Sequence, residues 1–213
     1  MARYGMVIDL SKCMGCCGCM MACKVEHTTP PGVSWVRVLN RENGKYPAVS
    51  RTIMPVQCNH CKDAACVKVC PTGATSKRED GIVEIDSDKC VGCRYCMMAC
   101  PFGSRYYYDS EKYYFPGKGP TPFEEIGCRD MQTGVVMKCN FCLEKLEAGV
   151  KKGLKPGVDR EATPSCVNNC MTKARYFGDL EDPDSEVSQL IRANRGRQVH
   201  PEYGTDPSIY YIK

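Results

Sequence analysis

Alternating apolar and polar residues along the chain predict several short strands. Residues 4–10 alternate well enough for one strand, residues 35–38 for another, and residues 175–180 for a closing strand. Residues 82–86 alternate cleanly behind an Asp-Gly turn, so residues 73–88 carry the signature of a β-hairpin. The pattern therefore predicts a fold whose strands are short and widely spaced along the chain.

Helical and irregular stretches separate these strands. Residues 185–192 predict a short helix, capped by Asp184 or by the Ser that follows it. Residues 27–50 and 103–134 are insertions marked by Pro and Gly. The second insertion is rich in Tyr, which suits either a protein interface or ordinary loop packing. Residues 201–213 form a polar, Tyr-bearing tail.

The most informative pattern is a run of four cysteines, Cys90, Cys93, Cys96 and Cys100, followed by Pro101. This C-x2-C-x2-C-x3-C-P spacing is that of bacterial ferredoxins, in which three thiolates hold one [4Fe–4S] cluster and the fourth ligates a different cluster. A zinc site is the alternative, but zinc sites usually use two separated pairs of ligands that close one tetrahedron. The run therefore indicates an iron–sulfur protein.

Three further runs repeat this spacing with variations. The second has a four-residue middle gap, and the last has a 23-residue gap, residues 143–165, which is rich in Lys and Gly and is expected to loop outward. Lys24 and Met171 stand where a ferredoxin often has proline. The three runs are Cys13, Cys16, Cys19 and Cys23; Cys58, Cys61, Cys66 and Cys70; and Cys139, Cys142, Cys166 and Cys170.

The repeated cysteine spacing groups the four runs into two units. The middle runs and the hairpin between them form one complete two-cluster ferredoxin unit, so the outer runs must pair with each other around it. The predicted fold is α+β, with two interleaved bacterial-ferredoxin-like 2[4Fe–4S] units and loop insertions. The first, interrupted unit spans residues 1–50 and 128–182, the second spans residues 51–127, and residues 183–213 form a C-terminal helix and tail.

Crossed ligation then assigns sixteen of the 18 cysteines to four clusters and leaves Cys17 and Cys128, which fall outside the rhythm, as non-ligands. His60 lies between two cysteines of a complete set, so we expect it beside the ligands or on the surface. Cluster 1 is assigned to Cys13, Cys16, Cys19 and Cys170; cluster 2 to Cys23, Cys139, Cys142 and Cys166; cluster 3 to Cys58, Cys61, Cys66 and Cys100; cluster 4 to Cys70, Cys90, Cys93 and Cys96.

Composition supports an interior held together by cofactors. The chain of 213 residues has only five Phe and one Trp, so its conventional core is thin and the cluster-free chain is expected to be largely unfolded. Trp35 is expected to cover a cluster or anchor the core, with a partner contact as the alternative. No N-terminal signal peptide and no stretch of about 18 apolar residues is present, which favours reduced thiols over disulfides and a cytoplasmic location.

The charge balance argues against a nucleic-acid partner. The formal net charge is +4, but four oxidised clusters with their thiolates would bring about −8, leaving the loaded protein near −4. The chain has three His and no pairing of a nucleophile with a base, so acyl and phosphoryl chemistry have no candidate site. We therefore expect a non-catalytic electron carrier. A free soluble polyferredoxin remains the alternative to a subunit of a larger complex.

The chain resembles the four-cluster iron–sulfur subunits of molybdopterin oxidoreductases, which include dimethyl sulfoxide, polysulfide, thiosulfate, tetrathionate and arsenate reductases. The resemblance is carried by four segments: CMGCCGCMMAC at 13–23, CNHCKDAACVKVCPTGA at 58–74, CVGCRYCMMACPFG at 90–103 and ARYFGDLEDPDSEVSQLI at 174–191. It implies a partner subunit that carries molybdopterin, and a membrane quinone-reactive subunit or another electron carrier. Because relatives of this kind can be exported with a partner, it also implies a peripheral position on either side of a membrane.

Overall fold

The computed structural model describes residues 2–127 and 131–213, and its elements are short, as the sequence pattern predicts. The strands are β1 (Tyr4–Asp9), β2 (Arg37–Lys45), β3 (Ala48–Val56), β4 (Thr75–Lys77), β5 (Val83–Ile85), β6 (Tyr106–Tyr108), β7 (Val135–Met137), β8 (Arg175–Asp179) and β9 (Ile209–Ile212). The helices are α1 (Gly18–His27), α2 (Ala65–Lys68), α3 (Tyr95–Met98), α4 (Pro122–Gly127), α5 (Leu143–Lys151), α6 (Ser165–Asn168) and α7 (Glu186–Ala193). Cys128, expected to be a non-ligand, lies outside the described residues.

A three-stranded sheet in the order β8-β1-β9 joins the two ends of the chain. β1 is antiparallel to β8, with Tyr4 opposite Asp179, and parallel to β9, with Met6 opposite Ile209. Because successive side chains of a strand point to opposite faces, β1 supplies both sides of the sheet. Met6 belongs to the larger apolar core, while Val7 packs in a smaller cluster with α7. The strands predicted near residues 4–10 and 175–180 are confirmed.

Helix α7 covers the second face of this sheet. It begins after Ser185, whose hydroxyl accepts a hydrogen bond from the Ser188 backbone N–H at 3.2 Å and so caps the helix. Val187 is fully buried against Val7 and Ile212. The predicted C-terminal helix is confirmed, and Ser185 is its cap.

The last residues of the chain are part of the core, although the sequence pattern indicated a polar tail. Ile209 is fully buried in β9, and the Tyr211 hydroxyl donates to the Pro55 carbonyl at 2.9 Å. The Ile-Tyr-Tyr-Ile sequence of this strand is too short for a periodic pattern to reveal it. Its pairing with β1, far away in sequence, makes it a strand.

Replacing Ile209 with alanine should destabilise the protein by roughly 2–5 kcal/mol, because it leaves a cavity at a fully buried position. The apparent midpoint of thermal unfolding of the cluster-loaded protein, held under anaerobic conditions, measures the effect. Ile126→Ala is the matched control, since that side chain is 73% exposed in α4. Equal midpoints for the two variants would contradict the placement of β9 in the core.

The remaining strands form three two-stranded sheets. β2 and β3 form a long and mostly exposed hairpin. β2 begins at Arg37, two residues later than the strand predicted at residues 35–38, and continues beyond it to Lys45. β3 runs across the domain boundary predicted between residues 50 and 51. β4 pairs with β5, so the hairpin predicted within residues 73–88 is confirmed. β6, in the Tyr-rich insertion, pairs with β7, which directly follows that insertion.

The 23-residue gap of the last cysteine run is predicted to loop outward, and this is wrong for both ends of the gap. Its first nine residues form α5, whose Leu146 is buried in the main core, and Ala162 near its other end is fully buried. Gly149 of α5 lies so close to Ala162 that an added Cβ would come within 2.4 Å of the alanine methyl carbon. The Lys and Gly content of this segment gave no indication of the packed helix.

Among the described residues, no helix has both the length and the apolar character needed to cross a bilayer.

Candidate cofactor site

The cysteines assigned to cluster 3 line a single cavity. Although Cys100 belongs to a different run, it lies there with Cys58, Cys61 and Cys66. Burial raises the pKa of the Cys61 thiol to about 12, and neighbouring Cys58, Cys66 and Cys100 add to the rise. The cavity thus brings together four thiols, three from one run and one from the next.

The cysteines assigned to cluster 1 line a second cavity, which again joins two runs. Cys170 lies there with Cys13, Cys16 and Cys19, although these residues stand near opposite ends of the chain. Cys17 also lines this cavity. Burial raises the pKa of the Cys19 thiol, and the nearby Cys166, Cys170 and Cys13 raise it further.

The cysteines assigned to cluster 2 are the most buried group. The pKa of Cys23 is strongly raised, first by burial and then by the charges that Cys139, Cys166 and Cys142 would carry. The pKa of Cys139 is raised to about 12, mainly by burial. Cys23 comes from α1 and Cys166 from α6, and these helices pack against each other.

The cysteines assigned to cluster 4 lie on or beside the short helices α2 and α3, which pack against each other. Cys70 follows α2, and its Sγ accepts the Thr75 backbone N–H at 3.3 Å. Cys96 is buried in α3. Of the cysteines that the structure describes, only Cys16 and Cys93 are exposed, and they belong to the groups assigned to clusters 1 and 4.

Two of the cysteine loops have the same backbone shape. Gly15 and Cys17 in one loop, and Gly92 and Arg94 in the other, have positive φ, and Cys17 and Arg94 immediately precede helices α1 and α3. At Gly92 a Cβ would come within 2.2 Å of a backbone oxygen, so only glycine fits. Cys17 therefore occupies the loop position that Arg94 takes in the related run. This position lies between two assigned ligands, which explains why Cys17 does not fit the C-x2-C spacing.

Several N–H groups point at cysteine sulfurs. The Ala174 backbone N–H donates to Cys170 Sγ at 3.2 Å, as Thr75 does to Cys70, so the two runs repeat this contact. His27 Nε2 lies 3.3 Å from Cys142 Sγ, and the Trp35 ring packs on the His27 ring at a tilt of 36°, with centroids 4.5 Å apart. Trp35 also packs on the main core, in agreement with its predicted role as a cover or anchor.

His60 is fully buried and does not lie on the surface. Its Nδ1 accepts the Val83 backbone N–H at 3.0 Å, and its ring stacks on Phe141 with centroids 3.8 Å apart. Burial lowers its pKa well below the ordinary value, and the nearby charges of Lys138 and Arg105 lower it further, so the imidazole is neutral. His60 and Phe141 each stand directly before the second cysteine of their run, so this stack joins two cysteine runs.

Sequence reasoning missed two buried arginines, Arg105 and Arg175, which line the cavities of the cluster 3 and cluster 1 cysteines. Each stands five residues after the last cysteine of a run, and this shared spacing could have revealed them. Among the residues that the structure describes, Arg105 Nη2 and the Nε and Nη1 of Arg175 are buried without a hydrogen-bond partner. Buried cations with free N–H groups beside clustered thiols fit an anionic, sulfur-rich cofactor.

The same thiols do not converge on one point. Within the described residues, no three His, Cys, Asp or Glu side chains are arranged to hold a single metal ion. A [4Fe–4S] cluster differs from a single ion because each of its four thiolates binds a different iron. The cavities that four assigned thiols line together, with a buried arginine beside each, fit such clusters, which when bound would supply one-electron oxidation and reduction.

Comparison with known proteins agrees with this chemistry. Residues 49–115 match a protein family described as a 4Fe-4S dicluster domain. The chain is 43% identical to a protein of Halobacterium salinarum assigned as a dimethyl sulfoxide reductase iron-sulfur subunit, across all of this chain and 79% of that protein. It is 39% identical to the arsenate respiratory reductase iron-sulfur subunit of Shewanella sp., across 99% and 96% of the two chains. The chain belongs to this family of iron–sulfur subunits.

A third relative is a subunit of another type of reductase. A selenate reductase subunit of Mesobacillus selenatarsenatis is 39% identical, across 99% of this chain and 72% of that protein. The resemblance stated from the cysteine motifs is thus confirmed, and with it the expectation of [4Fe–4S] clusters and of electron transfer within an oxidoreductase complex. The number of clusters and the ligands of each remain predictions.

Proposed function

We propose that this subunit relays single electrons through four [4Fe–4S] clusters. The relay would connect a catalytic subunit that carries molybdopterin with a membrane quinone-reactive subunit or another electron carrier. The observation that carries the proposal is the grouping of the thiols across runs, in which Cys100 joins the cavity of Cys58, Cys61 and Cys66. This grouping is what crossed ligation between paired ferredoxin runs requires.

Electrostatic neighbours support a linear order of the four clusters. The pKa of Cys19 in the cluster 1 group is raised, after burial, by Cys166 of the cluster 2 group. The pKa of Cys139 in the cluster 2 group is raised, after burial, partly by Cys58 of the cluster 3 group. Arg105 interacts with cysteines of the cluster 3 and cluster 4 groups. These electrostatic influences support the order 1, 2, 3, 4 for the proposed clusters.

The two ends of this line are the least buried. Cys16 in the cluster 1 group and Cys93 in the cluster 4 group are exposed, whereas the thiols of the middle groups are buried or half-buried. Exposed apolar side chains flank both, including Met14 and Met171 beside the first group and Met98 beside the second. Exposed apolar patches suit protein contacts. By the family resemblance, cluster 1 would face the catalytic subunit and cluster 4 the far end.

The chain's own part in the relay is to hold and insulate the sulfurs. Backbone N–H groups of Thr75 and Ala174 donate to cysteine sulfurs, and such hydrogen bonds tune cluster potentials. The buried middle groups exclude water, which also shifts potentials. The location would follow from the partners, as a peripheral subunit on the cytoplasmic side or, if exported with a partner, on the periplasmic side.

Iron and acid-labile sulfide analysis of anaerobically purified protein tests the proposal. We expect about sixteen irons and as many sulfides per chain, since four clusters hold four irons each. Co-purification should also yield a partner subunit with molybdopterin. A content of about eight irons or about four zincs per chain would contradict four clusters. A stable, fully loaded monomer on size exclusion would instead favour the free polyferredoxin.

A further inference from the structure

Three buried cations lie among the cysteine groups, and the first is Arg175, at the start of β8. It is 3% exposed, and its Nη2 donates to Cys166 Sγ, of the cluster 2 group, at 3.7 Å. It also lines the cavity of the cluster 1 cysteines. Burial lowers its pKa, but the charges that Cys166 and Cys19 would carry outweigh this and raise it above its ordinary value. Arg175 thus lies between the groups assigned to clusters 1 and 2.

The second buried cation is Arg105, which follows the third cysteine run and is 4% exposed. It lines the cavity of the cluster 3 cysteines. Its Nη1 donates at 3.1 Å to the hydroxyl of Thr75, whose backbone N–H donates to Cys70 of the cluster 4 group. Burial lowers its pKa, but Cys66, Cys58 and Cys96 together raise it. Arg105 thus connects the groups assigned to clusters 3 and 4.

The third buried cation is Lys138, which precedes Cys139 of the cluster 2 group and is 4% exposed. Its Nζ donates to the Cys139 carbonyl at 2.7 Å and to the Val83 carbonyl. Val83 lines the cavity of the cluster 3 cysteines. Lys138 therefore lies between the groups assigned to clusters 2 and 3, and the three cations alternate with the four groups.

None of the three cations is paired with a carboxylate within residues 2–127 and 131–213. Isolated buried charges are rarely tolerated, so each needs a nearby anion. The thiolates and the clusters they would hold are the anions at hand. An oxidised [4Fe–4S] cluster with four thiolates carries a net charge of about −2, which one reduction makes more negative.

We propose that Arg175, Lys138 and Arg105 are intercluster counterions, each of which raises the reduction potential of the two clusters it separates and weakens their mutual repulsion. The inference rests on the proposed four-cluster function. A fixed positive charge stabilises the more negative, reduced state of a nearby cluster. Because each cation lies between two groups, it also reduces the penalty for reducing both neighbours together.

Potentiometric titration of the complete complex, followed by EPR, tests this inference. Arg105→Met should lower the midpoint potentials of clusters 3 and 4 more than those of clusters 1 and 2. Arg175→Met should lower the midpoint potentials of clusters 1 and 2 more than those of clusters 3 and 4. Lys138→Met should lower those of clusters 2 and 3. Arg192→Met is the matched control, because that arginine is exposed on α7 and donates to the backbone carbonyls of Ser188 and Pro183. Its removal should leave all four potentials unchanged.

Charge-preserving variants separate charge from packing. Arg105→Lys and Arg175→Lys should keep the potentials near those of the wild type, whereas Arg105→Gln and Arg175→Gln, which keep N–H donors, should lower them. If the Gln variants lose iron from the two adjacent clusters while the Lys variants retain it, the requirement for charge is likewise supported. Loss of iron in both series would contradict it, because the exact side chain would then matter more than its charge.

The iron content distinguishes the two proposals. A wild-type content of about eight irons per chain would overturn the four-cluster function itself. About sixteen irons, with potentials in the Met variants that move no more than in Arg192→Met, would overturn only the role of the cations.

Discussion

Replacing Cys100 with serine will damage the cluster assigned to Cys58, Cys61 and Cys66, and it will spare the cluster of the cysteines that precede it in the chain. The reason is spatial, because Cys100 lines the same cavity as those three thiols. Serine supplies a harder oxygen ligand than the thiolates that iron–sulfur clusters use. EPR of the reduced protein, with the four signals assigned by their potentials, measures the loss.

Cys17→Ser is the matched control for this experiment. Cys17 lines the cavity of the cluster 1 cysteines, but it takes the loop position that Arg94 occupies in the related run. We expect all four signals to persist in this variant. Loss of the signal of the Cys90, Cys93 and Cys96 cluster from the Cys100→Ser protein would disprove the crossed assignment.

Removing the iron will unfold most of the chain. The main apolar core includes five cysteines assigned as ligands, and three buried cations would lose their anions. Breaking one buried ion pair costs about 3–5 kcal/mol, so three such losses are comparable with the whole stability of a domain, about 5–15 kcal/mol. Far-ultraviolet circular dichroism and limited proteolysis, before and after treatment with an iron chelator under reducing conditions, measure the change.

Restoring iron and sulfide anaerobically is the control for chelation, since it should recover both the dichroism and the resistance to protease. A cluster-free chain that kept its native dichroism and its resistance would show that the protein core suffices alone. A core drawn from a chain with only five Phe and one Trp would then be stable without cofactors, against the expectation from composition.

The elements that sequence reasoning predicted well are those fixed by local chemistry. The turn before Ile82 and the cap at Ser185 both depend on residues only a few positions apart, and the structure has the hairpin and the helix there. The ligand spacing of a ferredoxin run is equally local, so the iron–sulfur chemistry followed from Cys90, Cys93 and Cys96.

The elements that it missed depend on distant neighbours. β9 is a strand because it pairs with β1, with Ile209 opposite Met6. The four residues of β9 are too few to give a local signal for this pairing. Lys138 and the two arginines resemble ordinary surface cations in the sequence, and only burial beside thiols gives them another meaning. For His60 the surface alternative is wrong, because the residue is fully buried and stacks on Phe141, which belongs to another run.

The position of β1 between β8 and β9 has a consequence for biosynthesis. A ribosome delivers Tyr4–Asp9 long before Ile209–Ile212, so this sheet cannot close until β9 has been synthesised. The cavity of Cys58, Cys61, Cys66 and Cys100 has its four thiols much earlier, because all four precede β8 and β9 in the chain. In the nascent polypeptide, these four thiols should therefore come together before β1, β8 and β9 form their sheet.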